Sequence, residues 1–269
     1  MSNKINEQGL NLADTDNLPQ HIAVIMDGNG RWAAARGLHY LEGHRAGAKA
    51  LRAVIEECIT LDVPYLSAFA FSTENWNRSE EEVKGIMQLM IEFAEQEKQK
   101  LRKNGVRVVP VGKLDELPDK TRRALLKLRE YTQDENDLTL LLAVNYGGRN
   151  DIVRAARKIA VDFESDRIQL EDINANLLSD HLYTSPYPDP DLVIRTGGEM
   201  RLSNFLLFQV AYAEFYSTRV LWPDFGATDL RRAVKAFTRR ERRFGSRTST
   251  SESKISKAKG AEPSTCENQ

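Results

Sequence analysis

The strongest constraint on the fold is an alternation between short, continuously apolar runs and longer amphipathic stretches. Ile22-Ala23-Val24-Ile25-Met26 opens the series, and comparable runs follow at Tyr65 to Phe71, Val106 to Val111, Leu138 to Val144, Leu192 to Arg195 and Glu214 to Leu221. A run apolar at nearly every position, not every second one, suits a strand buried on both faces, as in a parallel sheet covered by helices. The intervening segments carry helical spacing. One pattern runs from about Ala46 to Thr60. Another opens at Ser79, where Glu82 three residues on makes a capping box, and continues to about Lys103. Val83, Ile86, Met87, Met90, Phe93 and Ala94 share one face of that second helix. The stripe reads first as core, although flexible methionines also suit the wall of an apolar tunnel. The predicted class is α/β, with a central, mostly parallel sheet flanked by helices.

Composition sets the limits. The 269 residues, 41% hydrophobic and 29% charged, suffice for one large domain. That domain is assigned to residues 19–245, with polar tails at 1–18 and 246–269 expected to be disordered. A formal net charge of −1 gives no global field for nucleic acid, so anion binding must come from local clusters. Cys58 and Cys266 are too few and too far apart to suggest a disulfide framework or a thiolate metal site, which favours the cytoplasm. No run approaches the roughly 18 apolar residues that span a bilayer, and the first residues lack an apolar signal region.

In open α/β sheets, ligands sit beyond the carboxyl ends of the strands. Four of the strands end in polar or glycine-rich segments: Asp27-Gly28-Asn29-Gly30-Arg31-Trp32, Ser72-Thr73-Glu74-Asn75-Trp76-Asn77-Arg78, Asn145-Tyr146-Gly147-Gly148-Arg149 and Arg195-Thr196-Gly197-Gly198-Glu199. Gly28 and Gly30 beside Asn29 would let backbone amides approach a phosphate, with Arg31 adding a guanidinium. Asp-Gly and Asn-Gly are equally strong hairpin signals, so the loop alone supports either reading. A carboxylate such as Asp27 next to a phosphate is tolerable when a cation lies between them, and Mg²⁺ is bound in this way. Arg195 and Arg201, followed by Ser203, offer two guanidiniums and a hydroxyl for a second diphosphate. Singly, each arginine reads as a surface ion pair; together at one edge, Arg31, Arg78, Arg195 and Arg201 read as an anion site. His44 suits either phosphate binding or a helix cap, and Trp32 and Trp76 either packing or ligand contact. The P-loop lysine motif, HExxH, CxxC and Gly-x-Ser-x-Gly are all absent. The residues alone therefore reach a magnesium-assisted site for phosphorylated ligands.

Several blocks carry a resemblance. HIAVIMDGNGRWA at His21 to Ala33, GHRAGA at Gly43 to Ala48, FSTENWNR at Phe71 to Arg78, NYGGRNDIV at Asn145 to Val153, DLVIRTGGEMRLSNFL at Asp191 to Leu206, AYAEFY at Ala211 to Tyr216, LWPDF and ERRFG occur in this order. Over about Leu18 to Gly245 the chain resembles the cis-prenyltransferases, the bacterial undecaprenyl diphosphate synthases among them. The resemblance implies a homodimeric α/β enzyme with an apolar tunnel beneath its diphosphate sites. It implies condensation of isopentenyl diphosphate with an allylic diphosphate such as farnesyl diphosphate, giving a polycis-polyprenyl diphosphate that serves as lipid-carrier precursor in cell-wall synthesis.

Carried over by position, Asp27 becomes the magnesium carboxylate, assisted by Glu214, and Asn75 joins Asp27 as catalytic. Gly28, Asn29, Gly30 and Arg31 hold the allylic diphosphate with Trp32 and His44 nearby, while Arg195, Arg201, Leu202 and Ser203 hold isopentenyl diphosphate. Ser72, Thr73, Glu74, Trp76 and Arg78 belong to the mobile loop between the two. Arg243, with Gly245, reaches a diphosphate across the dimer. Tyr40 stands where many members have Arg, and Met200 where some have His; a phenol can still donate a hydrogen bond. Peripheral membrane contact on product release is a further implication.

The chemistry suits these residue types, because breaking an allylic carbon–oxygen bond leaves a diphosphate whose charge Mg²⁺, arginines and amides stabilise. With diphosphates at the carboxyl ends, the hydrocarbon runs toward the amino ends, placing Val83 near the tunnel mouth and Leu138 at its deep end. A non-catalytic scaffold of the same fold and a magnesium phosphatase are the alternatives. Intact Asp27, Asn75 and Arg195 argue against the first, and the whole-chain resemblance against the second.

Overall fold

The computed structural model describes residues 17–239. Arg243, Gly245 and the tail at 246–269 lie outside the described residues. So does the tail at 1–18 except for Asn17 and Leu18, of which Leu18 is half-buried against the core. The described residues through Thr238 form one compact unit.

Six strands form one parallel sheet in the order β3-β4-β2-β1-β5-β6, where β1 is His21–Ile25, β2 Tyr65–Ser72, β3 Val106–Val111, β4 Leu138–Tyr146, β5 Leu192–Arg195 and β6 Glu214–Ser217. All nine residues of β4 and all five of β1 are buried, the signature the continuous apolar runs announced. Seven helices accompany the sheet: α1 Asn29–Ala34, α2 Tyr40–Thr60, α3 Glu80–Lys103, α4 Asp119–Tyr131, α5 Gly148–Glu164, α6 Ala175–Asp180 and α7 Ala227–Thr238.

Alternate strand residues feed two separate cores. Ile22, Val24, Leu66, Ala68, Leu138, Leu140, Leu142 and Ile194 pack with α2, α3, α4 and α7 on one face. Ala23, Ile25, Leu141, Ala143 and Val193 pack on the other against Phe205, Leu206 and Val210 from the segment after β5. At Asn145 the backbone enters the left-handed region (φ 49°), and the next residue, Tyr146, joins the second core. Its hydroxyl donates to Asp151 of α5 at 3.1 Å.

Two boundaries differ by more than two residues from the sequence expectation. The helix expected from Ala46 begins six residues earlier, because Gly43 and Gly47 are needed within it: a β-carbon at either would strike Asn29, its carbonyl from Gly43 and its side chain from Gly47. Their helix penalty is the condition for α1 to lie against α2. The last strand stops at Ser217, not Leu221, because Thr218 and Val220 give their carbonyls to the amides of Gly198 and Gly197, each at 2.8 Å. The helix predicted from Ser79 is borne out, with the Ser79 hydroxyl accepting from Glu82 N at 3.3 Å.

Candidate active site

The carboxyl edge of the sheet holds a cavity of about 720 Å³ built from the ends of β1, β2 and β5. The Asp-Gly-Asn-Gly segment is no hairpin, since β1 pairs in parallel with both β2 and β5 and passes directly into α1. Gly28 caps α1 at φ 111°, a conformation open to glycine, and a β-carbon there would run into Leu221. The first amides of α1 have no carbonyl partners within the helix.

Asp27 is pinned by its own backbone. Its N–H donates to Thr196 Oγ1 at 3.0 Å, and its carbonyl accepts from Trp222 N at 3.0 Å and from the Thr196 hydroxyl at 2.7 Å. Its carboxylate lies between two guanidiniums: Arg31 Nη2 reaches Oδ1 at 3.0 Å and Arg195 Nη2 reaches Oδ2 at 2.9 Å. Partial burial would raise the pKa of this acid, but the hydrogen bonds and charges of Arg195 and Arg31 outweigh it and hold Asp27 below the usual carboxylate range. Arg195 is 3% exposed; it also donates to Ser203 Oγ at 2.7 Å and to the Arg201 carbonyl, and its Nε is buried without a partner. Arg31 donates its other Nη to Gly197 O at 2.8 Å.

The loop after β2 is a 3-10 turn, Thr73–Asn77, closed by a reciprocal capping box between Ser72 and Asn75. Ser72, Glu74, Asn75 and Arg78 line the cavity. Arg78 is paired with Glu82, whose carboxylate also lies 3.8 Å from His44 Nε2. Burial and the Arg78 charge lower the His44 pKa against the opposing pull of Glu82, so this histidine is neutral at pH 7.

Of the sequence-assigned residues, Asp27, Gly28, Asn29, Gly30, Arg31, His44, Ser72, Glu74, Asn75, Arg78, Arg195, Arg201 and Ser203 converge on this cavity. Others do not line it. Trp32 donates to Asp224 at 2.7 Å with Arg36 stacked 4.1 Å over its ring. The Tyr40 ring meets that of His39 at a 39° tilt, centroids 4.0 Å apart, and its hydroxyl is buried without a partner. Thr73 bonds Glu74, Trp76 bonds Asn145, and Leu202 packs in the second core. Glu214 opens β6 opposite Leu192, at the far end from the Arg195–Ser217 pair, so the structure does not bring it to Asp27. Asn204 was missed. It lines the cavity at φ 64° and donates to Glu74 Oε1 at 2.8 Å; its one sequence signal is the tolerance of Asn for left-handed backbone.

Met26, Asn29, His44, Ala70 and Ile86 also line a second, apolar cavity of about 100 Å³ between α2 and α3, completed by Gly47, Ala48, Leu51, Leu89, Met90, Phe93, Leu142 and Trp222. Neither Val83 nor Leu138 lines it; both are buried in the surrounding core. A chamber lined by four arginines, paired with Asp27, Glu82 and Glu199, thus shares a wall with an apolar one. Among the described residues no group of three His, Cys, Asp or Glu side chains gathers to hold a metal. Asp27, ionised and facing the cavity, fits a magnesium ion bound through one protein carboxylate plus phosphate oxygens and water.

Fold and site together define an enzyme that handles an anionic head group attached to an apolar body. The family described as "Putative undecaprenyl diphosphate synthase" matches residues 25–245, and the chain belongs to it. It is a prenyltransferase. An isoprenyl transferase of Clostridium perfringens is 50% identical over 230 residues, covering 86% of this chain and 91% of that one. One from Streptococcus thermophilus is 48% identical over 234 residues, 86% and 94% of the two chains. Among solved structures, lavandulyl diphosphate synthase from Lavandula x intermedia, in complex with dimethylallyl diphosphate, superposes with a TM-score of 0.83 at 36% identity, covering 86% of this chain and all of that one. A probable undecaprenyl diphosphate synthase from Campylobacter jejuni gives 0.72 at 34%, with the same coverage.

Proposed function

We propose that this prenyltransferase condenses isopentenyl diphosphate with farnesyl diphosphate, repeating the step to an undecaprenyl-length polycis product that serves cell-wall synthesis. The observation that carries the reading is the Asp27 carboxylate held between Arg31 and Arg195 in the arginine-rich cavity, whose neighbours Met26 and Asn29 also line the apolar one. The allylic diphosphate sits over Gly28, Asn29, Gly30 and Arg31 near His44, with its hydrocarbon past Ala70 and Ile86 toward Met90 and Phe93, the start of the tunnel. Isopentenyl diphosphate takes Arg195, Arg201 and Ser203.

Asp27 would hold Mg²⁺ together with diphosphate oxygens; the ion, when bound, supplies charge neutralisation to the leaving group. The allylic carbon–oxygen bond breaks, the electron pair leaves with the diphosphate, and Arg31 and the first-turn amides of α1 stabilise it. The isopentenyl double bond attacks the allylic carbon, and loss of a proton leaves the cis alkene. Asn75 is not a base at neutral pH; its part is to orient the departing proton toward a diphosphate oxygen. Ser72, through its capping box, fixes Asn75.

Homodimer formation, a contribution of Arg243 across it, a cytoplasmic location and peripheral membrane contact belong to the same reading, supported by family membership. No helix among the described residues is long and apolar enough to cross a membrane. The test is incubation with radiolabelled isopentenyl diphosphate and farnesyl diphosphate, with and without EDTA. Butanol-extractable label that EDTA abolishes is expected, with chain length read by thin-layer analysis. Label remaining aqueous, or free phosphate without lipid, would overturn the proposal.

A further inference from the structure

The fourth strand end, at Asn145, lines neither cavity, yet it carries a buried polar hub. Asn145 is 1% exposed and left-handed at φ 49°, a conformation Asn tolerates better than most residues. Its Oδ1 accepts from Trp76 Nε1 at 2.8 Å; its Nδ2 donates to Lys113 O at 3.0 Å and Glu116 Oε2 at 3.1 Å. Its backbone carbonyl accepts from Lys113 N at 3.2 Å. Both polar ends of one amide are therefore satisfied, one by the loop after β2 and the other by the loop after β3. Gly112 allows the second approach, since a β-carbon there would strike Val144 O.

Trp76 is 37% exposed, and its ring meets Phe71 edge-on at 5.1 Å. That contact is to the strand from which its own loop springs and cannot alone fix the loop relative to the rest of the sheet. The indole N–H to Asn145 does so, 69 residues away in sequence. Trp76 lies between Asn75 and Arg78, both on the cavity wall.

We propose that Asn145 is a positioning residue: through Trp76 it holds the Ser72–Arg78 loop in register with β4, so that Asn75 and Arg78 face the cavity. The catalytic part of the proposal rests on the reading above. The indole N–H donates to an acceptor on the buried Asn145, so loss of the donor leaves Asn145 Oδ1 buried and unsatisfied.

The test is a double-mutant cycle with Asn145→Gly, which keeps the left-handed backbone accessible, and Trp76→Phe, which keeps the ring on Phe71 and removes only the N–H. Each single variant is expected to lower kcat about tenfold, with the double variant no worse than Asn145→Gly alone, because the bond the two residues share can be lost only once, whereas Asn145→Gly also gives up the bonds to Lys113 and Glu116. Defects that multiply in the double variant would overturn the proposal. Hydrogen–deuterium exchange without substrate gives a readout independent of the proposed reaction. Exchange in peptides covering 72–78 should rise in both single variants. A rise confined to β3 and β4 in Asn145→Gly would mark a merely structural role and refute the latch. If wild-type enzyme failed to turn over the substrates, the functional reading would fall while the exchange result still decided the latch.

Discussion

Acid should destabilise this protein through a residue remote from its chemistry. His21 opens β1 with no solvent exposure, its Nδ1 2.6 Å from Pro188 O and its Nε2 2.8 Å from Ser67 Oγ. A carbonyl only accepts, so Nδ1 carries the proton and the Nε2 lone pair receives the Ser67 hydroxyl. Burial lowers its pKa to about 4, against the opposing pull of the Pro188 carbonyl and Asp191. In the unfolded chain the value returns to about 6.5. Between those values the unfolded state binds the extra proton, so stability rises with pH. The contribution is fully present above pH 6.5, falls as pH drops through the window, and is lost below pH 4. By linkage, about 2 kcal/mol disappears between pH 8 and pH 5, approaching 3 at pH 4. For a domain of this size that corresponds to about 4–8 °C in Tm at pH 5. Urea midpoints measured from pH 7.5 to 4.5 for wild type and His21→Gln isolate the term, since other titrating groups are common to both. The wild-type curve should fall more steeply by about the stated amount; parallel curves would refute the argument.

Asp27→Asn should still fold, with a lowered urea midpoint because the buried Arg195 guanidinium loses its carboxylate partner, and should cost at least about hundredfold in turnover, equivalent to about 3 kcal/mol of transition-state stabilisation; near-normal turnover in a folded variant would remove its assigned role. Arg195→Ala should weaken isopentenyl diphosphate binding by about ten- to hundredfold and farnesyl diphosphate much less, measured by calorimetry; equal losses would show that the two subsites are wrongly partitioned. Ala70→Leu narrows the wall shared by the two cavities and should shorten the product while sparing the first condensation; an unchanged chain-length profile would place the hydrocarbon elsewhere.

Most strands were legible because burial on both faces leaves few polar positions, such as His21, Ser67 and Thr139, to interrupt them, and the cavity edge was legible because polar and glycine-rich segments follow the strand ends. The start of α2 was not, since Gly43 and Gly47 weaken the local helix signal for the sake of a contact with Asn29 that only the fold reveals. Trp32 and Trp76 carry the same sequence signal as ligand-contacting aromatics, yet their indole N–H groups are committed to Asp224 and Asn145. Asn204 was given no role, and Asn145 was placed only at a strand end, because what they do comes from backbone conformation and partners more than 25 residues away. Glu214 was assigned by resemblance, whereas strand direction alone already placed it at the start of β6.

The division of the sheet into two cores makes it a partition between two adjustable compartments. Leu138, Leu140 and Leu142 look toward the helices that bound the apolar cavity, while Leu141 and Ala143 look toward Phe205 and Leu206, which neighbour Ser203 and Asn204. A mutation's parity along β4 therefore decides which property it can tune. As far as Val144, even positions face the helices beside the apolar cavity and odd ones the support beneath the anion-binding residues; Tyr146, past the left-handed Asn145, joins the second core. Under the proposed function, product length can drift on one side of this wall without retuning charge recognition on the other.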